Sequence, residues 1–273
     1  MTPFTCSVHT HCALCDGKGA PAEMAEAAFQ AGVTHYGFSC HSHTPIETDR
    51  GYVLPRDMTA YRAEVLRLRE LYRGRMEILL GIELDSCADV TAEGFDYWIG
   101  SVHYVPGENG RFYGVDIDRE TFCDCREELC GGDALSLAER YFREVGAVAE
   151  RRPAILGHLD LIRKFNEGNA LFDESAPRYR AAALEALHRA DPEATLLEIN
   201  TGAMARGYRA DPYPALFLLR EWRAMGGRII LTSDAHSPET ILFGYEAAAD
   251  LARRAGFHEA AVLTLAGPRA CPL

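Results

Sequence analysis

The residues best suited to chemistry lie near the start of the chain, in Ser7-Val8-His9-Thr10-His11-Cys12-Ala13-Leu14-Cys15-Asp16. The run leading in, Phe4-Thr5-Cys6-Ser7-Val8, is rich in residues that favour an extended chain. In a strand, alternation sends His9 and His11 out on the same side, about 6.6 Å apart along the backbone. Two neutral imidazoles so placed can converge on one divalent metal at ~2.0–2.1 Å. Asp16 follows in a Cys-Asp-Gly turn, from which its carboxylate can curl back over the same point. His-x-His alone is a weak signal, since a polar strand end whose histidines meet only water has the same pattern.

The elements that must position these residues strengthen it. Short apolar runs alternate with longer helical patterns, the sign of βα units around a parallel sheet. Pro21 opens a first helix and Gly32 closes it. A strand over 33–39 leads into Cys40-His41-Ser42-His43. Met58, Tyr61, Val65, Leu68 and Tyr72 recur at three or four residues and predict an amphipathic helix over 57–72. Further strands are predicted over 76–82, ending at Glu83, and over 97–102, ending at His103. Three more cover 154–157 into His158, 194–199 into Asn200, and 228–232 into Ser233-Asp234-Ala235-His236, with a last apolar run at 261–265. Helices are predicted over 133–151, 176–190 and 214–225. The region 104–132 lacks strong periodicity and reads as a long excursion over the site, and loops of that length are usually functional.

His9, His11, His41, Glu83, His103, His158, Asp234 and His236 thus all fall at, or close to, the C-terminal ends of predicted strands. In a βα barrel those ends gather on one face, where active sites lie. The pattern predicts a metal site on that face. His35, His188 and His258 lie in strand, helix or loop contexts and read as structural.

Size and charge narrow the functions available. The 273 residues suit one domain, 1–273, with a sizeable core. No apolar run reaches the length of a membrane span, and no secretory signal opens the chain, so the expectation is a cytoplasmic protein. A net charge of −12 argues against a nucleic-acid surface. Nine scattered cysteines, including Cys12-x-x-Cys15, read as reduced thiols rather than a disulfide or zinc framework.

Beside His-x-His and Asp-Gly stand Gly-Phe-Ser-x-His-Ser at 37–42, Gly-Ile-Glu-x-Asp at 81–85, Gly-Ser-Val-His at 100–103, Gly-His-Leu-Asp at 157–160 and Ser-Asp-Ala-His at 233–236. This set resembles the polymerase-and-histidinol-phosphatase (PHP) family, from about residue 7 to residue 245. The stretches 164–169, 198–203 and 206–209 are similar to its stand-alone histidinol-phosphate phosphatase branch. The resemblance implies an α/β fold, a distorted (β/α)7 barrel, with two to three divalent transition metals at the C-terminal ends of the strands. By the same resemblance His9, His11, Glu83 and Asp234 would hold one ion. Glu83, shared, would hold a second with His103 and His158, and Asp16, His41 and His236 would hold a third. Glu83, Asp234 and His236 form the implied catalytic set. Such donors suit Zn, Fe or Mn, and a bridging carboxylate fits ions ~3.5–4 Å apart. The implied reaction is hydrolysis of a small phosphorylated substrate, L-histidinol phosphate, to L-histidinol and phosphate in histidine biosynthesis.

Cys40 stands where relatives often carry Asp or Gly. His43 creates a second His-x-His, so either histidine could be the ligand; motif register favours His41 and leaves His43 as a substrate contact or a turn residue. A phosphate dianion needs cationic donors, and Arg163, Lys164, Arg178, Arg206 and Arg209 are the candidates. Arg206 and Lys164 are preferred, because they lie just past strands that end in the site. Two alternatives stay open: another phosphomonoester as substrate, or an amidohydrolase-type metal hydrolase. The latter usually needs a bridging lysine at a strand end, whereas the chain's only lysines are Lys18 and Lys164.

Overall fold

The computed structural model describes residues 4–49, 51–108 and 110–273. The strands are β1 (Cys6–Ser7), β2 (His35–Phe38), β3 (Glu77–Asp85), β4 (Tyr97–Ser101), the hairpin β5 (Tyr104–Pro106) and β6 (Phe112–Gly114), β7 (Ile155–Leu156), β8 (Leu196–Asn200), β9 (Arg228–Thr232), β10 (Glu259–Thr264) and β11 (Gly267–Pro272). Seven of them lie parallel in the order β1-β2-β3-β4-β7-β8-β9. The sheet curls until the residues just past β1 and β9 meet. There Thr10 bridges Ala235 in a parallel sense, the His11 amide donates to the Ala235 carbonyl at 2.8 Å, and the Ala235 amide donates to the His9 carbonyl at 3.1 Å. This is the expected distorted (β/α)7 barrel. β10 joins β9 through the single pair Ala261–Ile230, and β11 runs antiparallel to β10.

Val8, Leu79, Tyr97, Ile99, Leu196 and Ile230 pack together in the barrel interior. Each buried aliphatic there contributes about 1.5–3 kcal/mol. The Tyr97 hydroxyl donates to the carbonyls of Val8 and Phe38, which fixes the chain directly before His9 against that before Cys40.

Helices clothe the outside: α1 (Pro21–Gln30), α2 (Thr59–Leu71), α3 (Arg119–Cys130), α4 (Ala134–Ala149), α5 (Pro177–His188), the short α6 (Gly202–Ala205), α7 (Leu216–Ala224) and α8 (Tyr245–Ala255). α2 buries Tyr61, Val65 and Leu68, three positions of the expected stripe. α4 starts at Asp133, whose side chain accepts from the Leu135 amide and satisfies one of the unpaired donors of the first turn. Among the described residues no helix is long and apolar enough to cross a membrane.

Two sequence expectations need correction. The region 104–132 is no irregular excursion, because it forms the β5–β6 hairpin and α3. Asp118 caps α3 by accepting from the Thr121 amide, and Gly131 ends it in the left-handed conformation. The chain also closes on a strand that the sequence reading missed. β11 contains Pro268 and Pro272, which the pattern counts against a strand, but an edge strand tolerates residues without an N–H.

Candidate metal centre

The strand ends deliver their side chains to one point. His9 and His11 extend beyond β1 with ring centroids 5.3 Å apart. Glu83 lies within β3, His103 just past β4, His158 just past β7, and Asp234 with His236 in the turn after β9. His41, in the segment after β2, bridges Glu83 backbone to backbone.

Three atoms define the centre. Nε2 of His9, Nε2 of His11 and Oε2 of Glu83 are buried without a directed hydrogen bond. Leaving a buried polar atom unsatisfied costs roughly 1–3 kcal/mol, so three aimed together call for a cation. Glu83 Oε2 lies 3.4 Å from each of the two Nε2 atoms, and Asp234 Oδ1 lies 3.6 Å from His9 Nε2 and 3.3 Å from His11 Nε2. Four donors held tetrahedrally about 2.1 Å from one ion sit about 3.4 Å apart, and the contacts of Glu83 and Asp234 with the two rings have that spacing.

The other oxygen of Glu83 faces a second group. Oε1 is 2.9 Å from His158 Nε2 and 3.5 Å from His103 Nε2. A third group forms where Asp16 Oδ2 stands 3.0 Å from His236 Nε2 and 3.6 Å from His41 Nε2, with His11 beside them. All nine residues named as ligands from sequence are thus brought together in overlapping donor groups.

The rings are aimed from behind. His9 Nδ1 contacts Glu198 Oε1, and the fully buried Glu198 also accepts from Thr232 Oγ1 at 2.7 Å, the His158 amide at 2.6 Å and Asn200 Nδ2 at 3.0 Å. Asp85 Oδ2 holds His103 Nδ1 at 2.8 Å, and His236 Nδ1 lies 2.9 Å from the Asp234 carbonyl. A partner on the far nitrogen fixes ring orientation and raises donor strength. Glu198→Gln is accordingly expected to lower metal affinity or turnover by about 10–100-fold while the protein stays folded. Metal titration of the variant beside the parent, with circular dichroism on both, checks this; parental affinity and turnover would remove the role.

The backbone supports the same point. Asp234 has φ +49°, a left-handed conformation that costs a non-glycine residue of order 1–3 kcal/mol and clusters at functional sites. A Cβ on Gly202 would lie 2.7 Å from Asp234 Oδ2 and 2.8 Å from Arg206 Nη2. One on Gly17 would lie 2.4 Å from the Cys12 amide nitrogen, so the turn that carries Asp16 back over the site needs glycine there.

The electrostatics agree with a cation site. Burial opposes ionisation of Glu83, but the imidazoles of His41, His9 and His103 hold its carboxyl well below the usual range. Burial opposes it at Asp234 too, and Arg206 and His9 win there. Burial and neighbouring His41 disfavour a proton on His11, yet Asp234 and Cys15 lift it to about 9.

The phosphate-side candidates divide. Lys164 and Arg206 line the pocket over the donor groups. Arg206 Nη2 is 2.9 Å from Asp234 Oδ2 and Nη1 is 3.1 Å from His236 Nδ1, while Lys164 Nζ is held by the carbonyl and carboxylate of Asp116. The other three are committed elsewhere. Arg163 is buried against Asp160, Glu174 and Asp211. Arg209 binds Glu174 and Asp211, and Arg178 ties α5 to Asp133 and Glu139 of the α4 region. His43 pairs with Asp89 at 2.6 Å and belongs to none of the donor groups. Sequence reasoning assigned no role to Glu198, Asp85 or Asp116. Glu198 and Asp85 did stand in the quoted motifs, two residues from Asn200 and Glu83.

The pocket opens into a cleft of about 440 Å³ that shares Asp16, His41, His103, Asp116 and Lys164 with it. That is ample for one small ligand.

The model of the PHP domain matches residues 6–202. A Deinococcus radiodurans protein named probable histidinol-phosphatase is 30% identical over 251 residues, covering 88% of this chain and 89% of its own. The histidinol-phosphatase of Bacillus subtilis is 25% identical over 249 residues, covering 82% and 90%. The solved histidinol phosphate phosphatase of Lactococcus lactis, in complex with Zn, L-histidinol and phosphate, superposes with a TM-score of 0.63 at 19% identity. That match covers 96% of this chain and 98% of the other.

Proposed function

The chain belongs to the PHP family, and from that premise we propose that it is a metal-dependent phosphatase hydrolysing L-histidinol phosphate to L-histidinol and phosphate. The observation that carries the proposal is the Glu83 carboxylate, which presents Oε2 to His9 and His11 and Oε1 to His103 and His158 beneath a pocket with two cationic side chains. The curated relatives named for this activity support the substrate, as does the histidinol and phosphate bound to the Lactococcus lactis protein.

His9, His11, Glu83 and Asp234 would hold one ion, Glu83 with His103 and His158 a second, and Asp16, His41 and His236 a third. When bound, such ions supply Lewis-acid charge to phosphoryl oxygens and make water a nucleophile near neutral pH. Arg206 would orient the phosphoryl group with its fork, already fixed by Asp234. Lys164, fixed by Asp116, would add a point charge in the same pocket. The leaving alcohol would extend into the larger cleft, which Asp49, Asp85 and Asp116 help to line. An amidohydrolase reading lacks its bridging lysine: the group that faces both sets of imidazoles is the Glu83 carboxylate, and Lys164 is tied to Asp116.

Phosphate release from a panel of phosphomonoesters tests this. L-Histidinol phosphate is expected to exceed nucleoside monophosphates by ~10²-fold or more in kcat/KM, the yield of about 3 kcal/mol from charged contacts. Equal rates across the panel would reduce the protein to a general phosphatase.

A further inference from the structure

The pocket over the donor groups and the larger cleft share Asp16, His41, His103, Asp116 and Lys164. The first three belong to the donor groups, which leaves Asp116 and Lys164 at the junction. The Lys164 side chain is built into place there. Its turn follows His158, since the Leu161 amide donates to the His158 carbonyl at 2.9 Å and the Lys164 amide to the Leu161 carbonyl at 2.8 Å. Asp116 arrives from the segment after β6, where the Val115 amide donates to the His103 carbonyl at 2.9 Å. Lys164 Nζ donates to the Asp116 carbonyl at 2.5 Å and to Asp116 Oδ2 at 3.2 Å. The ring centroids of Phe165 and Tyr208 lie 5.4 and 5.2 Å from the same nitrogen, and the two rings meet edge-on. Such rings attract a cation and limit its movement. An ammonium carries three N–H groups. Asp116 takes two of them, and among the described residues no further acceptor engages the third.

We propose, resting on the phosphatase reading above, that Lys164 is the general acid of the reaction and that its third N–H protonates the leaving ester oxygen. A monoester with its phosphoryl group over the donors and its alcohol in the cleft has that oxygen at the junction. An alkoxide leaves poorly, because its conjugate acid is about as weak as water, with pKa ~15.7. As the oxygen of the attacking water bonds to phosphorus, the bond from phosphorus to the ester oxygen breaks. Its electron pair stays on that oxygen, which takes the proton from Nζ. The proton lost by the water passes to solvent in the cleft and returns from there to Nζ. Monoester and water thus become alcohol and phosphate, with Lys164 as it began. No other group lining the small pocket suits the task. The Arg206 guanidinium does not release a proton, and Asp116 accepts from Lys164. The remaining ionisable side chains there are all candidate metal ligands. Asp116 is then a positioning residue, which occupies two N–H groups and leaves the third for the substrate.

The test compares L-histidinol phosphate with p-nitrophenyl phosphate, whose nitrophenolate leaves without a proton, on metal-loaded protein. Lys164→Met removes charge and proton together, so both esters should slow. The alkyl ester should slow by ~10²-fold more than the aryl one, the low end of what a placed acid supplies. Lys164→Arg keeps the charge but yields no proton, so it should show the same excess loss, and it serves if Lys164→Met does not fold. Both variants should keep the parental metal content, read by mass spectrometry on the same preparations. Any alkyl monoester that the protein hydrolyses can replace L-histidinol phosphate, so failure of that substrate assignment leaves the test intact. Equal losses on the two esters, metal lost along with rate, or a Lys164→Arg protein with the parental rate on the alkyl ester would overturn the proposal.

Discussion

Glu83→Gln is expected to leave the protein folded but to empty two of its donor groups, with turnover lower by ~10³-fold or more. Glu83 is buried, and its two oxygens lie within 3.5 Å of five imidazoles, those of His9, His11, His41, His103 and His158. Glutamine keeps the volume but removes the charge, and it must turn an NH₂ group towards one set of ring nitrogens. Two cations that would share this carboxylate would be left without the anion between them, and a buried charge stripped of its partner is strongly disfavoured. Metal counting by mass spectrometry and a phosphate-release assay on the same preparation read both halves. A Glu83→Gln protein that retained parental metal and rate would show that Glu83 bridges nothing.

His236→Ala separates the phosphatase reading from the amidohydrolase one. Asp234 serves either chemistry, so its loss discriminates nothing. His236 Nε2 instead faces Asp16 Oδ2 at 3.0 Å and shares a donor group with His41 and His11. Removing it should cost about one ion per chain, while Glu83 still joins the other two groups. Turnover is expected to fall by ~10²-fold or more, because a charge aimed at the phosphoryl group is gone. The idea fails if this variant keeps a full metal complement and near-parental turnover.

The donor residues were legible because strand periodicity and βα alternation decide where strand ends lie, and His9, His103 and Asp234 lie just past such ends while Glu83 lies two residues before one. Their supports were not. Glu198 reads in sequence as one more charged residue on a strand, and only the closed barrel brings it against His9 and the His158 amide. Arg163 shows the opposite limit. Its charge and place suggested a phosphate contact, but sequence does not disclose that Asp160, Glu174 and Asp211 converge on it from three separate segments. The hairpin and α3 were hidden for a local reason. Their apolar positions are few, and the signals that mark them, Asp118 and the Gly131-Gly132 pair, are caps rather than a period.

The bridge between Thr10 and Ala235 closes the barrel, and it does so with little backbone pairing. On one side of this seam stand His9 and His11, on the other Asp234 and His236. An ion held by His9, His11 and Asp234 would therefore be a clasp across the seam as well as a reagent. Its binding energy would add to the unfolding free energy of the whole barrel and rise with free metal as mass action requires. The first strand has only two residues in regular pairing and that pairing is with β2 alone, so its other side depends on the clasp. Scarcity of metal would then be felt first as loosening of the N-terminal segment, and the protein's lifetime would track metal supply along with its activity.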